Sequence, residues 1–282
     1  MILSTAISDL RAHLEPHRRS SQTIGLVPTM GALHEGHLSL VRAAKAQTNL
    51  VVVSLFVNPL QFGPKEDLAK YPRALDRDRE LLETEGVDFL FAPTVEEMYP
   101  PGAVTYVTVE GLSQRLDGAS RPGHFRGVTT VVAKLFHIIE PDVSFFGQKD
   151  AAQAAVLRRM VHDLNFPIKI VVCPIVREPD GLAMSSRNAY LTAGERRQAL
   201  ILSRTLRRIE ACFAGGERKS AKLIREGQSV LAGEPAARLD YLSIVDPDNL
   251  EPVETITQSA LVAIAAWVGT TRLIDNIILT PA

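Results

Sequence analysis

Cysteine is almost missing from the 282-residue sequence: Cys173 and Cys212 are the only two. A disulfide framework is therefore excluded, and a reducing compartment is natural. Long apolar runs are missing as well. The longest uninterrupted one, Ala260–Val268, has nine residues, where a membrane helix takes about 20. Neither charge sign is in excess, with 31 Lys+Arg against 32 Asp+Glu and a net charge of -1, so the broad cationic field of a dedicated nucleic-acid binder is excluded. Residues 1–19 meet charge at Asp9 and Arg11 and show no apolar h-region and no small-residue cleavage site. They read as the start of a soluble cytoplasmic protein without an export signal. Three common fingerprints do not occur: the G-x-G-x-x-G dinucleotide loop, the G-x-x-x-x-G-K-[ST] phosphate loop and the G-x-S-x-G elbow. Gly215–Ser220 has glycine, lysine and serine, but in the wrong order.

What is present is ample core material, 46% hydrophobic residues, enough for one large or two modest domains. Short β-branched runs at Thr23–Pro28, Leu50–Val57, Val87–Ala92, Val143–Phe146 and Ile168–Cys173 are mostly continuous in apolar character, as strands covered on both faces are. Between them lie helical patterns at Leu38–Ala46, Ala74–Glu85, Val128–Ile139 and Ala151–Asp163. This alternation predicts an α/β fold, a doubly wound, Rossmann-like parallel sheet. Pro174, Pro179 and Asp180-Gly181 then interrupt the pattern, which suits a domain edge. Helices over Ala193–Ala214 and Ser220–Ala232 follow, then strands over Leu239–Val245, Ala260–Val268 and Thr271–Leu279, the last two forming a hairpin about Gly269-Thr270. The expected division is 1–175 as a nucleotide-binding domain and 176–282 as a smaller α+β domain closing over the site.

Four polar clusters carry candidate chemistry. Pro28–His37 follows the first strand and opens a helix, with His34 and His37 three residues apart. A helix N-terminus offers free N–H groups and partial positive charge to phosphate, and both imidazoles can add a donor. Helix capping explains the same pair. A zinc site fits less well, because His-Glu-Gly-His is one residue short of the H-E-x-x-H spacing. Phe145–Gln153 repeats the strand–turn–helix layout: Lys149 can neutralise phosphate and Asp150 can accept from ribose hydroxyls, although a solvated cap explains both. In Arg177–Asn188, Ser185, Ser186 and Arg187 can grip a triphosphate or form a capping turn. In Phe56–Gly63, the amides of Asn58 and Gln61 can orient hydroxyls and a carboxylate. The loop Gly63–Tyr71, with charges at Lys65, Glu66, Asp67 and Lys70, suits a lid or an ordinary surface loop. His124, in a Gly-bounded loop, is a further candidate, whereas Cys173 reads as core.

In this order the clusters resemble the pantothenate synthetase (pantoate–β-alanine ligase) family of the H-x-G-H nucleotidyltransferase-like superfamily. The likeness runs from Pro28–His37 through Phe56–Phe62, Tyr71–Arg73, His124–Gly127, Phe145–Asp150 and Arg177–Asn188 to Gly269–Asn276. It implies ATP-dependent condensation of (R)-pantoate with β-alanine to pantothenate, AMP and diphosphate, a step toward coenzyme A, with Mg²⁺ accompanying ATP. It also implies a homodimer that contacts neither nucleic acid nor membrane; the apolar run Ala260–Val268 points the same way. By this likeness His34, His37 and Lys149 are catalytic. ATP is held by these three with Met30, Gly147, Asp150, Val176, Met184, Ser185, Ser186 and Arg187, and pantoate by Gln61, Gln153 and Met30. Ala152 departs from the family, which often carries another glutamine there. Arg77 and Leu81 occupy positions where metal-binding groups would be sought, so no protein ligand for the metal is named, nor any base for the β-alanine amine. Two other classes remain open at this point: a nucleotidyltransferase that keeps the adenylyl group on its product, and a nucleotide sensor without turnover.

Overall fold

A computed structural model describes residues 1–64 and 66–281; Lys65, counted among the loop charges above, lies outside the described residues. The chain forms two compact units. One comprises Met1–Gln114, Arg121–Gly147 and Val156–Cys173, and the other Arg115–Ser120, Gln148–Ala155 and the chain from Pro174 on.

In the first unit the strands β1 (Ile2–Ser4), β2 (Ile24–Thr29), β3 (Leu50–Leu55), β4 (Phe89–Phe91), β5 (Val143–Gly147) and β6 (Lys169–Cys173) make one sheet in the order β1-β4-β3-β2-β5-β6. Every pairing is parallel. All six residues of β3 are buried, as continuous apolarity requires when helices cover both faces. Those helices are α1 (Ile7–Arg19), α2 (Glu35–Lys45), α3 (Leu75–Thr84), the single turn α4 (Val95–Met98) and, after a turn α5 (Asp117–Ser120) that belongs to the other unit, α6 (His124–Ile139) and α7 (Ala151–Asp163). Leu40, Val41 and Ala44 of α2 pack with Val27, Val53, Leu90 and Phe145 of the strands. The helix α6 ends at Glu140, which takes a left-handed conformation, and Pro141 follows it to stop propagation.

The sheet order has a functional consequence. From β2 the chain lays down β3 and then β4 on one side, whereas β5 and β6 fall on the other. The winding direction reverses between β2 and β5, and at such a switch point the carboxyl ends of the two strands leave a crevice for ligands.

In the second unit β7 (Ala237–Val245), β8 (Ala260–Val268) and β9 (Thr271–Leu279) form an antiparallel sheet with β8 central. The helices α8 (Ala193–Ala199), α9 (Ile201–Ala214) and α10 (Ser220–Leu231) accompany it, and Leu206, Ile209 and Leu223 share a core with Val262, Ile264 and Val268. Both alternating sets of β8 side chains are buried within the single chain, Leu261, Ala263 and Ala265 no less than Val262 and Ile264. The apolarity of this strand is thus satisfied without a second copy.

Departures from expectation begin with the edge strand β1, which has no counterpart among the five strands expected for this sheet. The long helix expected over Ala193–Ala214 is divided at Leu200, which ends α8 and begins α9 with a ψ of -13°. The helix α6 starts at His124, four residues before the apolar stripe that reveals it. The helix α1 has no counterpart among the predicted elements: it buries only Leu10 and Leu14 and holds Pro16 inside, a thin signal for a 13-residue helix.

Candidate active site

The loop leaving β2 is built before it can bind anything. Gly31 and Ala32 both take positive φ, 85° and 50°; the first is easy for glycine and the second is costly for alanine. Asp78 of α3 compensates. Its Oδ2 accepts from the Ala32 N–H at 2.7 Å and its Oδ1 from the Leu33 N–H at 2.8 Å. Burial pushes the Asp78 carboxyl above its ordinary range, and the two amide donors oppose that only in part. A β-carbon on Gly31 would stand 3.1 Å from Asp78 Oδ2 and press it back by a few tenths of an ångström, at a positive φ that already disfavours any side chain.

The turn delivers His34 to the N-cap of α2. Its Nδ1 accepts from the Gly36 N–H at 3.1 Å, and His37 Nδ1 accepts from the His34 N–H at 3.4 Å, a reciprocal capping box. The capping reading of this motif is thus what the geometry displays, and it engages only one nitrogen of each ring in these bonds. With each Nδ1 committed as an acceptor, the neutral rings carry their proton on Nε2. The rings lie 4.1 Å apart between centroids. Both rings thus sit at a helix N-terminus, where partial positive charge gathers.

The same unit brings Met30 and Gln61 together: Gln61 Nε2 lies 2.9 Å from Met30 Sδ. Asn58 Nδ2 donates to Gln61 Oε1 at 3.1 Å and to the Gly127 carbonyl at 3.0 Å, while Tyr99 Oη donates to Asn58 Oδ1 at 2.9 Å. Burial pushes the Tyr99 hydroxyl far up, so it stays a donor. Gly127 of α6 is needed for this contact, since a β-carbon there would overlap the Leu60 carbonyl group. His124 Nδ1 donates to the Gln61 carbonyl at 2.8 Å, and its Nε2 then accepts from Arg121 Nη1 at 3.0 Å. Arg121 also holds Glu66 through Nε and Nη2, at 2.9 and 2.5 Å. Burial pushes the Glu66 carboxyl up, but Arg121 and His124 more than offset it and leave it below its ordinary value. The loop Gly63–Tyr71 is thereby fastened at Glu66, and its ends by the edge-to-face pair Phe62–Tyr71 at 5.8 Å.

In the second unit Lys149 and Ser185, well separated in sequence, line one small cleft with Leu182, Ala183, Asn188 and Asp275. Lys149 Nζ stands 3.7 Å from Asp150 Oδ1. Val176 and Met184 face each other, the Met184 N–H donating to the Val176 carbonyl at 3.0 Å. That narrow hairpin carries Ser185, which caps the 3-10 turn Ser186–Tyr190 by accepting from the Arg187 N–H at 3.2 Å. Gly147 ends β5, and Gln153 lies half-buried in the first turn of α7 beside buried Ala152.

Glu178 braces the hairpin. Arg196 donates to both its oxygens, at 3.1 and 2.6 Å, and Asn188 Nδ2 donates at 3.0 Å. The Arg196 hydrogen bond, helped by Asn188 and opposed by burial, holds the Glu178 carboxyl below its ordinary value of 4.5. A carboxyl depressed in the folded state contributes stability that is complete above its unfolded value and fades as pH falls through the folded one. Glu178→Gln is therefore expected to lose about 1 kcal/mol at pH 7, a figure reduced for partial exposure. Urea unfolding of both proteins checks it: their difference should shrink toward zero as pH drops below 4.5, and a pH-independent difference would contradict the assignment.

Asp78 and Tyr99 carry no signal in the sequence. A lone aspartate on a polar helix looks solvated, and only its distant amide partners reveal it. No group of three or more His, Cys, Asp or Glu gathers as a metal site among the described residues. Asp78, which stands between Arg77 and Leu81 on α3, has both oxygens taken by backbone amides. No helix among the described residues is long and apolar enough to cross a membrane.

A family model described as pantoate-beta-alanine ligase matches residues 2–278. A pantothenate synthetase of Acidobacterium capsulatum is 62% identical over 99% of this chain and 96% of its own. The crystal structure of pantothenate synthetase from Thermus thermophilus superposes with a TM-score of 0.95 at 48% identity, covering 100% of both chains. Pantoate-beta-alanine ligase from Francisella tularensis, complexed with beta-gamma ATP and beta-alanine, superposes with a TM-score of 0.80 at 34% identity over 99% of this chain and 97% of its own. With a match that runs from the first strand of the parallel sheet almost to the last residue of the antiparallel one, this chain belongs to the pantoate–β-alanine ligase family.

Proposed function

We infer that the chain condenses (R)-pantoate with β-alanine at the expense of ATP, yielding pantothenate, AMP and diphosphate. The observation that carries this reading is the family match over residues 2–278. A carboxylate oxygen of pantoate attacks the α-phosphorus, the bond to the bridging oxygen breaks, and diphosphate leaves. The neutral β-alanine nitrogen then attacks the acyl carbon of the pantoyl-adenylate, AMP leaves with the bonding electron pair, and the nitrogen gives up one proton.

Both partners of the first step are anionic, so its barrier falls with fixed positive donors. We assign that work to the Nε2–H groups of His34 and His37, to Lys149 and to Arg187, with Ser185 and Ser186 on the phosphates. Gly147, Asp150, Val176 and Met184 hold the nucleoside, and Met30, Gln61 and Gln153 orient pantoate. Asn58 supports the pantoate role of Gln61: by occupying Oε1 it fixes which end of the amide is the donor. Mg²⁺ is assigned to the ATP phosphates, its usual place in an ATP-using ligase. The second step is served by placement, which can supply on the order of 7–11 kcal/mol. The family relationship supports a homodimer, and the demand for ATP supports a cytoplasmic setting.

Exchange of labelled diphosphate into ATP tests this reading. Exchange is expected only with pantoate present, and adding β-alanine should release AMP and an adenylate-free amide by mass spectrometry. Exchange without pantoate, or a product that retains the adenylyl group, would overturn it.

A further inference from the structure

The segment Gly269–Asn276 is part of the family likeness, yet the mechanism above gives it no task. In the fold its last two residues lie side by side on β9, and both are buried, Asp275 and Asn276 at 3% exposure each. Both ends of the Asn276 amide are engaged. Its Nδ2 donates to the carbonyls of Gln148 and Lys149, at 2.9 Å each, and its Oδ1 accepts from Gln148 Nε2 at 3.0 Å. Asp275 receives both Nη groups of Arg177, at 2.7 and 2.9 Å, and also accepts from the Asn276 N–H at 2.8 Å. Arg177 in turn donates to the Gly181 carbonyl at 3.2 Å and bridges to Ala183 across the hairpin that carries Ser185.

We propose that Asp275 and Asn276 are positioning residues, one setting the hairpin that presents Ser185 and the other setting the main chain that presents Lys149. Two neighbouring positions on one rigid strand thus bring both groups to the cleft they share. Only an amide meets the demand at position 276. Two carbonyl oxygens need two donors on one nitrogen, and the Gln148 amide needs an acceptor on the same planar group. A carboxylate of equal size would set its own oxygen against both carbonyls. The sheet thereby holds Lys149 through its main-chain carbonyl, and the proposal leaves the ammonium to phosphate.

The inference rests on the reading of Lys149 given above, and a double-mutant cycle separates the two. Asn276→Asp is expected to lower pantoate-dependent diphosphate exchange about tenfold in the wild-type background and less than about twofold when Lys149 is already alanine. A lesion that merely loosened β9 would multiply the loss in both backgrounds, and that outcome would overturn the proposal, as would an Asn276→Asp enzyme of normal rate. If Lys149→Ala alone keeps a normal rate, or the wild type shows no exchange, the underlying reading falls and takes the proposal with it. Should Asn276→Asp not fold, Gln148→Leu removes only the bond that orients the Asn276 amide. It is expected to cost about threefold with the same loss of additivity, and full additivity there would equally refute the role.

Discussion

Lys149→Ala lowers pantoate-dependent diphosphate exchange on the order of 10²–10³-fold, the range seen when one pre-placed donor to a developing charge is removed. The side chain is largely covered, at 21% exposure, and it lines a cleft with Ser185, so its charge acts where water screens poorly. Asp150 is its nearest carboxylate, at 3.7 Å, which leaves the ammonium oriented yet loosely paired. Arginine at this position keeps the charge but not the compact head that the small cleft admits, and should restore little. Exchange rates measured at saturating ATP and pantoate check this. A Lys149→Ala enzyme within about threefold of wild type would mean that phosphate charge is offset elsewhere.

The second large effect separates two duties of one imidazole. His34 caps α2 through Nδ1, and the proposed phosphate duty falls to its other nitrogen, so substitution can remove either duty or both. Asparagine is among the best N-cap residues and alanine among the poorest. His34→Asn is expected to keep the wild-type melting temperature, whereas His34→Ala loses about 1 kcal/mol of stability. Both should lose at least about tenfold in exchange rate, equivalent to about 1.4 kcal/mol of barrier. Calorimetry beside the exchange assay reads the two quantities independently. Normal turnover by the asparagine variant would reduce His34 to a cap.

Much of this was legible because it rests on local chemistry. Continuous apolarity marked the buried parallel strands, the turn at Gly269-Thr270 marked the β8–β9 hairpin, and helix starts after strands marked the loops that bear His34, His37 and Lys149. What stayed hidden depends on contacts between distant segments. The lone carboxylate of Asp78 gains meaning only from amides 45 and 46 residues away. Asn276 belongs to a recognisable motif, yet its task depends on carbonyls more than a hundred positions earlier. The break at Leu200 left no trace because the apolar spacing runs on through it, with neither glycine nor proline to mark the turn.

The placement of β5 beside β2 has a consequence for how the protein is made. Gly25 pairs with Val143, so while the chain is still being synthesised β2 can join only β3, and through it β4 and β1. A nascent polypeptide stalled on the ribosome before Val143 carries a half-sheet whose β2 flank is an open template for any passing strand. Contacts so far apart in the chain also form slowly. Interrupted translation of this chain would therefore yield fragments that aggregate, and chaperone demand should peak during that interval.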